Sequence, residues 1–295
     1  MKSRDLAELV LLAAIWGGSF LLMRIAAPDF GPFALIELRV GLAALVLLPI
    51  LGMQGGMRLL FHRWMALSAV GLTASALPFV LYAWATLSVT AGFASIVNAT
   101  TPMFTALVAW AWLRDKLTPA TMVGMLVGIL GVVTLVWGKV SFKPGGSGWA
   151  VAACLGATLS YGVAGSLTKR YLTGVPPMVT ATGSQLYAAI LLLPLALAYW
   201  PQQTPPASVW AAAALLAVAC SGLAYVLFFR LMARVGPTRA VTVTFLIPVF
   251  GMLWGALFLD EHITLRMIAG CVVILLGTGL ATGVLSTLRP GPPSR

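Results

Sequence analysis

Read for hydrophobic and polar positions alone, the 295-residue chain is a succession of long apolar runs separated by short stretches of charge, proline and glycine. At about 20 apolar residues per bilayer crossing, the runs divide into ten expected membrane helices: 6–26, 33–51, 65–87, 92–112, 119–136, 148–168, 178–199, 209–229, 240–259 and 266–285. The punctuation agrees, because Pro28 with Pro32, Gly52 to Gly56, Pro144, Pro176 with Pro177, Pro201 to Pro206 and Pro290 to Pro293 all fall between runs. The expected fold is therefore all-α and polytopic, with no room left for a soluble catalytic or regulatory domain. Lys2 and Arg4 before the first run give it the look of a secretory signal. A membrane helix is expected instead, since Leu9 to Met23 continues past any small-residue cleavage pattern and a second run follows at once.

The pattern repeats. Gly92 to Thr118 carries a polar stripe and a proline inside an apolar run, and so does Thr238 to Thr264, 146 positions later: Ala94, Val97, Pro102, Phe104, Leu113 and Thr118 meet Ala240, Val243, Pro248, Phe250, Leu259 and Thr264. At a shift of 145, Trp16, Gly17, Arg24, Pro32 and Pro49 fall on Tyr161, Gly162, Lys169, Pro177 and Pro194; at 146, Trp64, Ser75 and Leu81 meet Trp210, Ser221 and Leu227. The chain thus divides into a first five-helix repeat over 1–138, a second over 147–288, and a tail over 289–295 expected in the cytoplasm. Five crossings are an odd number, so the second repeat must lie upside down relative to the first. This is the inverted-topology repeat of many transporters.

Composition confirms the solvent and charge sets the orientation. Hydrophobic residues make up 60% and charged residues only 8%, against about 25% charged in soluble domains. The net charge of +11 is carried by loops: thirteen lysines and arginines fall on the side of the N-terminus and four, Arg24, Lys139, Lys143 and Arg266, on the other. Both termini are expected inside, in an inner (cytoplasmic) membrane protein. No basic patch on a folded soluble platform is present, so no nucleic-acid partner is expected. Cys154, Cys220 and Cys271 lie within apolar runs and lack metal-ligand spacing, which makes them buried small hydrophobes.

The order and spacing of these features resemble the EamA-type branch of the drug/metabolite transporter superfamily. The residues concerned are Trp16-Gly17 in the first run, Leu38-Arg39 in the second, the mid-run prolines Pro102 and Pro248, the acidic loops at Asp115 and Glu261, and glycine-rich fifth and tenth runs. The resemblance implies a central cavity surrounded by helices 1, 3, 4, 6, 8 and 9, with helices 5 and 10 at the periphery. Within the branch, the chain is most similar to bacterial exporters of amino acids, aromatic ones especially.

Candidate chemistry lies on the inward stripes. Pro102 and Pro248 cannot donate, which deprives the carbonyls of Asn98 and Thr244 of their helical partners. Such carbonyls must be buried in protein or line a water-filled cavity, so the prolines read as hinges and the two carbonyls as acceptors; a packing kink is the plainer alternative. Around them, the expected substrate-binding set is Trp16, Ser19, Ser75, Tyr82, Asn98, Thr101, Tyr161, Tyr225, Phe228 and Thr244. Hydroxyls in such stripes serve equally well as glue between helices. Trp64, Trp137, Trp149, Trp200 and Trp210 fall at run ends, where tryptophan anchors in the membrane interface. Glu37 and Arg39 are the formal charges within the second run, two apart and so on different helix faces. A structural or topogenic role is expected for Arg39, with a substrate carboxylate as the alternative, and Glu37 is the candidate proton site. Gly124 and Gly128 form a G-x-x-x-G pair that suits close helix packing, or a weak homodimer in place of a monomer.

A cavity so lined suits a small neutral or zwitterionic solute, amino acids foremost, handled by alternating access within the lipid bilayer. A lipophilic drug or lipid exporter of the same fold is the alternative. Phosphorylated solutes would need cationic clamps that the runs do not supply. No G-x-x-x-x-G-K-[ST] loop, H-E-x-x-H motif or nucleophile–base pair occurs. An enzyme is accordingly not expected, and neither is a cofactor or a metal.

Overall fold

The structure, a computed structural model, describes residues 3–137, 141–142 and 146–284. Lys2, Lys139, Lys143, Pro144, Arg289, Arg295 and the expected tail lie outside the described residues. Within them every regular element is helical. Seven helices are long and apolar enough to cross a membrane, and two of 17 residues are shorter but equally apolar.

The first of the seven, Ser3–Met53, is broken at Gly31, whose φ of 72° and ψ of 159° suit glycine alone. Pro32 then opens the second limb, where a missing N–H costs nothing. The expected loop between the first two runs thus shrinks to a single residue. We label the limbs α1 (3–30) and α2 (32–53), followed by α3 (Trp64–Ala85), α4 (Ala91–Leu113), α5 (Pro119–Val136), α6 (Gly148–Tyr171), α7 (Pro177–Ala198), α8 (Ala207–Val235), α9 (Val243–Leu259) and α10 (Leu265–Ala281). Short helices Met57–His62 and Pro237–Ala240 precede α3 and α9.

Internal symmetry reaches into local geometry. Thr118 and Thr264, counterparts in the repeat, cap α5 and α10 by accepting from the N–H groups of Thr121 and Met267. Helices α4 and α9 both end on a non-glycine residue in the left-handed region, Arg114 (φ 58°) and Asp260 (φ 52°), again counterparts. Each next residue then donates its N–H back into the helix, Asp115 to Ala109 and Glu261 to Gly255. Wide π turns interrupt α3 at Leu72–Ala76 and α8 at Val218–Leu223, beginning at matching places. Each presents one serine, Ser75 or Ser221, to the interior.

Helices of opposite halves interlace. A methyl group on Gly17 of α1 would come within 2.6 Å of Phe250 Cβ in α9, and one on Gly162 of α6 within 2.7 Å of the Phe104 carbonyl in α4. Gly17 and Gly162 are counterparts, and so are Phe250 and Phe104. Helices α5 and α10 meet backbone to backbone along Gly124, Gly128, Gly131, Gly270 and Gly277, the small-residue packing that close approach in lipid requires. The first two helices also pack on α7 and α8, and α3 and α4 pack on α6. Asp5 and Glu8 at the start of α1 form ion pairs with Arg230 and Arg234 at the end of α8.

The outer surface is apolar. Leu126, Leu130, Leu197, Leu257 and Phe258 stand exposed, a surface that only lipid would cover without cost. The five tryptophans expected at the interface are exposed at or next to helix ends.

Candidate functional site

A cavity of about 650 Å³ lies at the centre of the bundle. On one side α1 presents Trp16, Ser19, Phe20 and Met23, with Cys220 and Tyr225 of α8 beside them. The lining continues with Phe79 and Tyr82 of α3, Tyr161 of α6, and Asn98, Thr101, Pro102 and Thr105 of α4. The aromatic rings hold one another: Phe20 meets Tyr82 edge-on at 5.2 Å, and Tyr82 stacks with Tyr161 at 6.5 Å. The Tyr82 hydroxyl donates to Asn98 Oδ1 at 3.1 Å, and the Thr101 hydroxyl approaches the same atom at 3.5 Å. Trp16 donates its indole N–H to the Cys220 carbonyl at 3.2 Å, one of the backbone oxygens in the α8 π turn.

Arg39 of α2 completes the wall. Its Nε donates to Ser221 Oγ at 3.0 Å, its Nη1 reaches Met23 Sδ at 3.7 Å, and its Cζ lies 3.6 Å from the centre of the Phe79 ring. No carboxylate of the described residues forms an ion pair with it.

Hydrogen bonds hold the bundle together at one end, here called the closed end, and the cavity lining reaches the other. At the closed end Glu261, just past α9, accepts from the first N–H groups of α4, Ala91 at 2.8 Å and Gly92 at 3.2 Å. Arg24 at the end of the same side donates to the Thr86 carbonyl. Helix α9 packs on Ala91–Asn98 there, while Thr101–Val108 leans on α6. The mouth lies between Ala109, Val241, Ala281 and Thr282, on the side where α4 and α10 finish and α9 begins. Asp115 and Lys169 pair at 2.6 Å on that side, both exposed.

The chain matches the EamA-like transporter family over residues 7–137 and 148–283, one copy for each half. It belongs to that family. A protein named "Uncharacterized transporter" from Archaeoglobus fulgidus is 26% identical over 96% of this chain and 98% of its own length. A "Probable terminal-alkyne amino-acid exporter" from Streptantibioticus cattleyicolor is also 26% identical, over 88% of this chain and 86% of its own. A solved structure titled "Crystal structure of protein", 20% identical, superposes with a TM-score of 0.67 over 98% of this chain and 100% of that one, which shows that the fold is shared. The protein is thus an EamA-like transporter, a multi-pass membrane protein rather than an enzyme, and in a bacterial cell its place is the inner membrane.

In this EamA-like transporter the structure brings Trp16, Ser19, Tyr82, Asn98, Thr101, Pro102, Tyr161, Tyr225 and Thr244 to the wall. Ser75, Phe228, Pro248 and Glu37 stand elsewhere. Ser75 is fully buried and accepts from Gln185 Nε2 at 2.8 Å. Phe228 supports Trp16 from behind, ring to ring at 5.2 Å. Glu37 Oε2 is buried without a hydrogen-bond partner.

The two prolines act differently. At Pro102 the helix is interrupted, with a turn at Ala99 and Thr100, whereas α9 runs through Pro248 unbroken from Val243. The break frees the Ala99 carbonyl, and the buried Thr278 hydroxyl of α10 donates to it at 2.9 Å. Arg39 is lodged in the cavity wall, held by Ser221, Met23 and the Phe79 ring. Helix α10, expected at the periphery, reaches the mouth with Ala281 and Thr282. Phe20, Met23, Phe79 and Cys220 line the wall without a sequence signal, since an apolar side chain inside an apolar run looks the same whether it faces lipid or a cavity.

Proposed function

We propose that the protein exports small neutral or zwitterionic metabolites, amino acids including aromatic ones foremost, by alternating access at the central cavity. In this reading all ten helices cross the membrane, both termini are cytoplasmic, and the mouth between Ala109 and Val241 opens to the cytoplasm. One observation carries it: a cavity of about 650 Å³ whose wall combines Trp16, Tyr82, Tyr161 and Tyr225 with the polar pair Asn98 and Thr101. That volume is in the range of roughly 300–1,000 Å³ typical of small-molecule sites. Aromatic rings supply contact for an apolar side chain, and a few placed polar groups orient its head. The relative named as a probable amino-acid exporter supports the same class of cargo.

The test is uptake of labelled amino acids by purified protein in liposomes, with and without an imposed pH gradient, beside Trp16→Ala and Tyr82→Ala variants. Saturable uptake of aromatic amino acids, weakened at least tenfold by Tyr82→Ala, is expected, and it should not need the gradient. Uptake that appears only with the gradient would make Glu37 the first residue to mutate. If a lipophilic dye crosses and no amino acid does, the cargo is a drug or lipid instead.

A further inference from the structure

We infer that Arg39 anchors a carboxylate of the substrate, so that the cavity selects acids with an apolar or aromatic body, amino acids among them. This deepens the reading above and rests on it for the location of the site.

The first ground is the missing counter-ion. All seven acidic residues of the chain lie among the described residues, and those in ion pairs are Asp5, Glu8 and Asp115, none of them with Arg39. The side chain is only 4% exposed, and its neighbours Ser221, Met23 and Phe79 are all neutral. A lone buried cation inside a membrane is costly, and such residues mark substrate paths. A guanidinium has five N–H donors; Ser221 and Met23 take two, and five less two leaves three for a ligand. A planar fork held from below by a ring and from the side by a serine is prepared for the two oxygens of a carboxylate.

The second ground is the other half. Gln185 of α7 donates to Ser75 in the π turn of α3, as Arg39 of α2 donates to Ser221 in the π turn of α8. Ser221 and Ser75 are counterparts at a shift of 146, while the shift of 145 that relates Pro32 and Pro49 to Pro177 and Pro194 puts Gln185 one residue past the counterpart of Arg39, so the same bond is made from neighbouring positions of α2 and α7. Gln185 is fully buried and lies outside the cavity wall. A neutral amide thus makes the helix-to-helix bond in one half, so the bond does not need a charge. The charge of Arg39 is surplus to the fold, and it is placed where a solute would meet it.

Charge selection is tested with an isosteric pair, 3-phenylpropionate and 3-phenylpropionamide, whose binding to purified protein is read by thermal stabilisation. The native protein should prefer the acid at least tenfold, and Arg39→Gln, which copies Gln185, should abolish the preference while still binding the amide. Equal binding of acid and amide by the native protein overturns the proposal, as does a preference that survives Arg39→Gln. If the glutamine variant is not recovered folded, Arg39→Lys takes its place. It keeps the charge and loses the fork, so the preference should fall several-fold, and an unchanged preference overturns the proposal. Phenylalanine uptake in liposomes reports separately on the export reading. Acid preference without phenylalanine uptake leaves the carboxylate site standing and removes the amino-acid cargo, and uptake without acid preference does the reverse.

Discussion

Arg39 and Gln185 make matching contacts in the two halves of the bundle, each donating to the serine of a π turn that belongs to the opposite half, at 3.0 and 2.8 Å. The geometry is shared and the charge is not. Removing the two acceptors should therefore have like effects on stability and unlike effects on transport. Ser75→Ala and Ser221→Ala should each cost about 1 kcal/mol, the usual net worth of a buried hydrogen bond. Only Ser221→Ala, which loosens the guanidinium, should raise the KM for carboxylate substrates, by roughly 3- to 10-fold. Thermal unfolding in detergent and uptake kinetics in liposomes measure the two effects.

Glu261 latches the closed end by accepting two N–H groups at the start of α4, where the helix dipole favours a carboxylate. Charge-assisted bonds of this kind are worth about 1.5–3 kcal/mol each, so their loss shifts an open–closed equilibrium by an order of magnitude or more. Glu261→Ala should let the closed end open. With the three native cysteines replaced and Thr101→Cys introduced, an impermeant thiol reagent should label the starting protein from the mouth side alone. The added Glu261→Ala change should allow labelling from both sides. Labelling from one side only in the variant would mean that other contacts hold the closed end.

The α5–α10 contact leaves no space for a side chain. A methyl group on Gly124 would run into the Ala281 backbone nitrogen and the Gly277 carbonyl, whereas one on Gly52 would meet nothing within 4 Å. Gly124→Ala should lower stability by about 1–3 kcal/mol through overpacking. Gly52→Ala, in a helical position, should be neutral or stabilising by about 0.5–1 kcal/mol. Thermal melting of the two variants side by side checks the contrast.

Thr278 tends the break at Pro102 by donating to the Ala99 carbonyl. Thr278→Val keeps the shape and removes the donor, leaving a buried acceptor unpaired at a cost of about 1–3 kcal/mol. Transport should slow as well, because the broken helix forms one wall of the cavity. Pro248→Ala, in a helix that is already continuous, should change the rate less than Pro102→Ala does. Initial rates at saturating substrate distinguish the three variants.

Much of this architecture could be read from the chain. The shift that superposes Pro102 on Pro248 and Thr118 on Thr264 announces the repeat, and Thr118 and Thr264 reappear as paired caps. The tryptophans at run ends declared themselves because an amphipathic ring has one preferred depth. What escaped notice depends on contacts between distant elements. The π turn at Leu72–Ala76 is flanked by Gly71 and Pro78, which announce an irregularity but not its kind. The partner of Arg39 is 182 positions away, and nothing local to Glu37 and Arg39 says that one faces the cavity and the other does not. The two prolines look alike in sequence, yet only α4 breaks, with Thr278 there to receive the freed carbonyl.

The glycine seam between α5 and α10 also has a bearing on biogenesis. Thr121 and Ala281, bonded across it, are 160 positions apart. When α5 leaves the ribosome its bare ridge of glycines has no partner, and neither does the notch at Gly17, which waits for Phe250, nor that of the π turn at Ser75, which waits for Gln185. The amino-terminal half therefore cannot complete its packing until α7, α9 and α10 have been made. Quality control that samples the nascent protein would see a substrate for degradation up to that point, and a finished transporter only once the last seam has closed.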